Sequence, residues 1–121
     1  MQNFRNLKVW QRCHDLVLEI HRVSKGFPRE ERYDLVPQLR RAAKSIPTNI
    51  AEGSKRESQA DFARFLNIAE ASLSETEYHI LLSHDLGYLP DAKYSALMRE
   101  IDELSRMLSS LRKKVRRGGK T

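Results

Sequence analysis

The sequence predicts an all-α protein, an up-and-down antiparallel four-helix bundle with a kinked second helix. Four segments carry apolar residues that recur every three or four positions, which is the period of an amphipathic helix. The prolines and glycines fall almost wholly between these segments, and no alternating strand pattern competes with them. The length of 121 residues suits one core, so short connections between four helices specify a bundle.

The first predicted helix covers residues 7–25, and Gly26 is placed to close its C-terminus. Its apolar stripe, which assigns the tryptophan to the core, consists of Leu7, Trp10, Cys13, Val17 and Ile20. The charged segment REERYD at 29–34 then predicts a single helical turn, which Asp34 breaks by adopting a left-handed conformation.

The second predicted helix covers residues 37–52 and contains an internal proline. Pro37 suits its first position, where the missing N–H costs nothing, and Gly53 ends it. The apolar step from Ile46 to Ile50 passes across Pro47, which predicts a kink within one helix rather than a break. Two short helices that meet at residues 45–47 are the alternative.

The third predicted helix begins at Ser58, which forms a capping box with Asp61, and ends at Gly87. Asp91, which follows a proline, is expected to cap the fourth helix. The apolar residues of that helix repeat like a heptad seam: Tyr94, Leu97, Met98, Ile101, Leu104, Leu108, Leu111 and Val115. The stripes on the first and third helices are broader than a core face requires, which predicts contact with another subunit.

The net charge of +6 is distributed unevenly along the chain. Residues 1–64 carry +5, residues 65–111 carry −5 and residues 112–121 carry +6. We therefore divide the chain into a bundle domain, 1–111, and a basic C-terminal tail, 112–121. The start of the chain has neither the apolar core of a signal peptide nor the length of a membrane span, and a single cysteine agrees with a reducing compartment, so we expect a cytoplasmic protein.

The sequence offers no catalytic or metal-binding constellation, so we expect no enzyme, no metal and no cofactor. Ser83, His84 and Asp85 are the residue types of a hydrolytic triad, but successive helical side chains diverge by about 100°. No paired Glu-x-x-His motif of a di-metal bundle occurs, and there is no glycine-rich phosphate loop.

Basic residues are the remaining candidates for function, as a surface that neutralises the phosphates of RNA or DNA. Arg40, Arg41 and Lys44 share one face of the second helix because they are three and four positions apart. The full candidate set is Arg40, Arg41, Lys44, Lys55, Arg56, Arg64, Arg112, Lys113, Lys114, Arg116 and Arg117.

The alternative for the helix-two arginines is an ion pair with Glu52, Glu57 or the acids of a neighbouring subunit. Aromatic residues are few and read as core, so no platform for base stacking is expected and binding would depend on charge and shape.

Several stretches resemble the bacterial four-helix-bundle family named for ribosomal-RNA intervening-sequence proteins. The most specific are Val9-Trp10, FPREERY, QLRRAAKSIPTNIAEG and RFLNIAEASL, in that order, within a match over roughly residues 7–89. The family is similar in fold to the accessory variability determinant of diversity-generating retroelements, a basic pentameric barrel. The chain departs from the family at Asp34 and Ala71, where glycine is usual, and at Pro37.

What the resemblance implies is a bundle that assembles into a ring, a homopentamer, with no stated chemistry. We therefore expect a non-enzymatic oligomer that binds nucleic acid through its basic surfaces. The alternative is a protein–protein interaction scaffold or accessory subunit without nucleic-acid contact.

Overall fold

The computed structural model describes residues 3–118, and these residues form an all-α fold without strands. Two short 3₁₀ turns, Phe4–Asn6 and Arg29–Glu31, precede α1 and α2, and the second confirms the predicted single turn. The four helices of the described residues are α1 (Lys8–Ser24), α2 (Leu35–Ser54), α3 (Gln59–Asp85) and α4 (Asp91–Arg116).

The helices form a bundle in which each packs on the next and α4 packs back on α1. The packed neighbours are antiparallel. Arg12, early in α1, pairs with Glu103 in the second half of α4, whereas Glu19, late in α1, pairs with Lys93 at the start of α4. The core lies between them, and its largest fully buried side chains include Ile20, Leu39, Ile46, Ile50, Leu66, Ile80, Ile101, Leu104 and Leu108.

Helix α2 passes through Pro47 without a break, which confirms the predicted continuous helix and excludes two short helices. Ile46 and Ile50 are both fully buried, as their spacing requires, and Pro47 is buried as well. Burial of this apolar surface compensates for the backbone hydrogen bond that the proline removes.

The ends of α2 differ from the prediction. The helix begins at Leu35, so Pro37 is its third residue rather than its first, a position where the backbone N–H still has no intrahelical partner. Asp34 precedes it with φ −127°, so the expected left-handed conformation is wrong. The helix also continues past Gly53, where an added Cβ would lie 2.6 Å from the Cβ of Phe65 on α3. Close helix packing, and not helix termination, therefore requires this glycine.

Both predicted ends of α3 are confirmed. Ser58 caps its start, since its Oγ accepts a hydrogen bond of 3.0 Å from the backbone N–H of Asp61. Gly87 follows its end with φ +87°, and the N–H groups of Gly87 and Tyr88 donate to the carbonyls of His84 and Ser83, each at 2.9 Å. These two bonds form a Schellman motif, which satisfies carbonyls of the last turn.

Two other predicted caps are wrong. Helix α1 ends at Ser24, and Gly26 does not have the positive φ of a glycine cap. The N-cap of α4 is Pro90, which offers no side-chain bond, and Asp91 is the first helical residue. Its carboxylate lies 2.7 Å from Nε2 of His84 at the end of α3, so it joins two helices instead.

Helix α4 continues into the segment expected to be a basic tail. It ends at Arg116, Val115 is fully buried, and Arg112 pairs with Glu70 of α3. The first five residues of the 112–121 segment therefore belong to the packed bundle, and Lys120 lies outside the described residues. No helix within residues 3–118 is long and apolar enough to span a membrane.

Candidate nucleic-acid interface

The structure places the predicted basic residues in separate regions of the bundle. Lys44 lies within α2, and Lys55 is the residue that follows its last turn on the same face. The two are eleven residues apart, a distance of about 16 Å along the helix axis. The first region lies where α1 ends and α2 begins, and the second lies at the α2–α3 turn. The single surface expected from the sequence is therefore divided.

The first region is a groove formed by two adjoining recesses of about 290 and 270 Å³. Arg32 and Arg40 line both recesses. The side chains that we call the basic groove are His21, Lys25, Arg29, Arg32, Arg40, Arg41 and Lys44. Among the described residues, no carboxylate lines either recess.

Arg40 is held in place at the centre of this groove. Its Nε donates to Oγ of Ser24 at 2.9 Å, and its Nη2 donates to the carbonyl of His21 at 3.3 Å, both on α1. These acceptors are neutral, so the guanidinium charge stays uncompensated. Arg41 and Lys44 are exposed beside it.

None of the six Lys and Arg side chains of the basic groove forms an ion pair within residues 3–118. The alternative in which Arg40 and Arg41 pair with Glu52 or Glu57 of the same chain is therefore wrong. Pairing with the acids of a neighbouring subunit stays a prediction.

His21 reports the electrostatics of the groove. Burial lowers the pKa of its imidazole, and the positive charges of Arg40, Lys44 and Lys25 lower it further. A cation is thus disfavoured at this position, which is the condition that favours a bound anion.

The sequence reading missed Lys25, Arg29 and Arg32 as members of this groove. The signal was present, because Arg29 and Arg32 are three positions apart in a segment predicted to be helical. What the sequence did not reveal is that Lys25, Arg29 and Arg32 line the same recess as Arg40.

The second region surrounds Phe65 at the start of α3. The guanidinium carbons of Arg56 and Arg64 lie 4.8 and 4.7 Å from the ring centroid of Phe65, in cation–π contact. Arg64 also pairs with Asp61 at 3.1 Å. Lys55 extends over the ring of Phe4, with its Nζ 5.6 Å from the centroid.

The α4 residues fall into two groups. The side chain of Arg112 is only 16% exposed and is paired with Glu70, so it serves the packing of α3 on α4. Lys113, Lys114, Arg116 and Arg117 are exposed. Because α4 is antiparallel to α3, these four lie at the same end of the bundle as the second region.

Trp10 differs from its predicted role as a core residue. It is half-buried, its ring is stacked on His14 at a centroid distance of 5.2 Å, and it contacts Phe4 edge-to-face at 4.9 Å. This aromatic cluster borders a recess of about 310 Å³ between α1 and α2. Aromatic side chains are therefore present at the surface of the α1–α2 seam, which the sequence did not predict.

The residues that resembled a hydrolytic triad have other partners in the structure. Ser83 is buried and donates to the carbonyl of His79 at 2.7 Å, while His84 lies against Asp91. Burial raises the pKa of the Cys13 thiol to about 12, so it is an unreactive core residue. Within the described part of the chain, no group of three His, Cys, Asp or Glu side chains could hold a metal ion.

Comparison with known proteins identifies the family. Residues 5–110 match the family described as 23S rRNA-intervening sequence protein. The fold is similar to the crystal structure of a protein of unknown function from the S23 ribosomal protein family of Bacteroides thetaiotaomicron VPI-5482, with 27% sequence identity and a TM-score of 0.80. That match covers 87% of this chain and 98% of the other. No curated protein matches. The chain belongs to the 23S rRNA-intervening sequence protein family.

Proposed function

We propose that this protein is a non-enzymatic, oligomeric helical-bundle protein that binds RNA or DNA through the basic groove. One observation carries the proposal: six Lys and Arg side chains converge on two adjoining recesses that no carboxylate of the described residues lines. Phosphates are the partners that such a surface fits, since each bound phosphate releases condensed counterions.

Charge reversal within the groove tests this proposal. Arg41 and Lys44 are exposed and form no hydrogen bond to the core, so Arg41→Glu with Lys44→Glu should leave the fold intact. We expect weaker binding of duplex DNA or RNA, and a salt slope that falls by about 0.9 for each lost phosphate contact on duplex DNA. Nitrocellulose filter binding at several salt concentrations measures both quantities.

The matched control is Lys113→Glu with Lys114→Glu, which changes the net charge by the same amount on α4. Deletion of residues 112–121 is unsuitable because it would remove the buried Val115. A larger loss from the groove variant than from the α4 variant supports a site in the groove. Equal losses would show generic attraction and would contradict the assignment.

We infer that the protein forms a homo-oligomer, a ring of five, in the cytoplasm. Exposed apolar side chains support this inference: Ile68, Tyr78 and Leu81 on α3 and Leu18 on α1. The family resemblance provides the count of five. Light scattering that gave the mass of a monomer at micromolar concentration would contradict this inference.

The same exposed apolar side chains support a second candidate function, a scaffold that binds another protein. Apolar contacts change little with ionic strength, whereas phosphate contacts weaken steeply. Purification of the native assembly distinguishes the two functions. Copurified nucleic acid that salt removes supports the first, and a copurified protein retained in high salt supports the second.

A further inference from the structure

The recess beside Trp10 combines aromatic and apolar walls at the surface of the α1–α2 seam. Phe4, Trp10 and His14 form one wall, with an angle of 63° between the Phe4 and Trp10 rings. Pro47 and Ala51 line the α2 side together with Thr48 and Glu52. Its volume of about 310 Å³ is at the small end of ligand sites, which suits one planar ring rather than an extended molecule.

The charges around the recess favour an anionic ligand. The Nζ of Lys55 lies 5.6 Å from the centroid of Phe4, and the guanidinium of Arg5 lies 5.8 Å from the same ring. Glu52 is the one acid on the recess wall; it forms no ion pair within residues 3–118. A carboxylate only accepts hydrogen bonds, so it fits the N–H donors of a nucleobase.

The recess continues the line of the basic groove. Thr48 of the recess is one helical turn from Lys44 of the groove, and its Oγ1 donates to the Lys44 carbonyl at 2.8 Å. On α1, His14 of the recess precedes His21 of the groove by seven residues. The two features are therefore separated by about 6–10 Å along the helices.

We propose that the Trp10 recess receives an unstacked base of a single-stranded nucleic acid whose phosphates lie in the basic groove. Cations that follow the backbone, next to aromatic rings that contact bases, are the combination by which proteins bind single strands. The proposal rests on the proposed function for the groove, and it adds the form of the nucleic acid and the place of base contact.

A cationic side chain is the other ligand that aromatic walls and a carboxylate could hold. The neighbouring Lys55 and Arg5 oppose it, because they would repel a second positive charge. The same two cations attract phosphate, and this difference favours the base.

Two oligomers of about 12 nucleotides test the proposal: oligothymidylate, and an abasic strand that carries the same phosphates without bases. Trp10 is the only tryptophan, so its fluorescence reports directly on the recess. We expect oligothymidylate to quench this fluorescence and the abasic strand to leave it unchanged. We also expect oligothymidylate to bind more tightly, by roughly 5-fold to 150-fold.

Ala51→Leu adds bulk to the recess wall and leaves every charge and Trp10 itself in place. The matched control is Ala96→Leu, the same change in a recess between α1 and α4. We expect Ala51→Leu to reduce affinity for oligothymidylate to that of the abasic strand, with an unchanged salt slope. Ala96→Leu should alter neither quantity.

The outcomes separate this inference from the proposed function. If both strands bind equally and the fluorescence does not change, base binding is overturned while phosphate binding in the groove stands. If neither strand binds at low salt, both are overturned. A base preference that survives in Ala51→Leu, with the fold verified by circular dichroism, would also overturn the recess as its site.

Discussion

The α2–α3 and α1–α4 seams of this bundle are held together in contrasting ways. Along α2–α3 the backbones approach closely, since Gly53 leaves no room for a Cβ against Phe65. Farther along, Ser45 and Ser72 are joined through their hydroxyls at 2.7 Å. Small side chains allow this approach, so the seam is dense.

The α1–α4 seam is joined by long charged side chains. Arg12 contacts Glu100 at 2.5 Å and Glu103 at 2.6 Å, and Lys93 contacts Glu19 at 3.0 Å. Recesses of about 440 and 460 Å³ lie along this seam. The difference shows that small side chains let two helices pack closely, whereas a seam joined by longer side chains leaves space at the surface.

Truncation of a buried side chain on α2, at the closely packed seam, should have the largest effect on stability. Ile50 is fully buried between helices, so we expect Ile50→Ala to lower the free energy of unfolding by about 2–5 kcal/mol. Leu86→Ala is the control, because this side chain is 48% exposed and should change stability by less than about 0.5 kcal/mol. Equal effects in urea denaturation would show that the core is not where we place it.

The glycine contact between α2 and α3 should be sensitive to a single methyl group. We expect Gly53→Ala to destabilise the protein by about 1–3 kcal/mol, because its Cβ would lie 2.6 Å from that of Phe65. Gly26→Ala is the matched control, since the nearest atom is 3.8 Å away and its φ is not positive. Thermal unfolding compares the two variants. A Gly53→Ala variant as stable as Gly26→Ala would contradict the close approach.

The ion pairs of the α1–α4 seam should contribute less to the free energy of unfolding than the buried contacts do, and their contribution should depend on salt. Hydrogen bonds to Glu103 and Glu100 raise the pKa of Arg12, which keeps its guanidinium charged. We expect Arg12→Ala to cost about 1 kcal/mol at low salt and less at high salt. Arg99→Ala removes an exposed arginine that forms no ion pair within residues 3–118, and should have no measurable effect. A salt-independent loss for Arg12→Ala would assign its role to packing.

The contact between His84 and Asp91, where α3 meets α4, should have the smallest effect on stability, and that effect should depend on pH. The hydrogen bond to Asp91 raises the pKa of His84 above 6.5, so its contribution to stability is present below pH 6.5 and is lost as the pH rises through the folded pKa. Asp91→Asn should reduce this pH dependence without abolishing it, because Asp85 also raises the pKa of His84.

Protonation of His21 should have the opposite effect on stability to protonation of His84, in the same pH range. Its lowered pKa means that the unfolded chain binds the proton more tightly, so protonation destabilises the folded state as the pH falls below about 6.5. His21→Gln should therefore reduce the loss of stability in acid. Melting temperatures between about pH 5.5 and 8 for both variants would separate the two histidines.

The sequence alone determined the elements whose signals are local. The three-and-four spacing of apolar residues identified all four helices of the described chain, and the step from Ile46 to Ile50 identified a helix that continues through Pro47. The caps at Ser58 and Gly87 could also be predicted, because each depends on residues close in sequence. Ser58 supplies a side-chain acceptor and Gly87 adopts a positive φ. The face shared by Arg40, Arg41 and Lys44 followed from the same periodicity.

The tertiary structure decided everything that depends on which surfaces meet. The sequence predicts a helix end at Gly53, but the structure shows that Phe65 packs against this glycine. It predicts a cap at Asp91, but the structure places this carboxylate beside His84. Trp10 reads as core, although its position at the edge of the α1–α2 seam leaves it half-buried next to a recess. The basic groove exists because α1, the α1–α2 connection and α2 line the same two recesses. Chain periodicity specifies the face of a helix, but only packing specifies which distant residue covers that face and which part of it remains open to a partner.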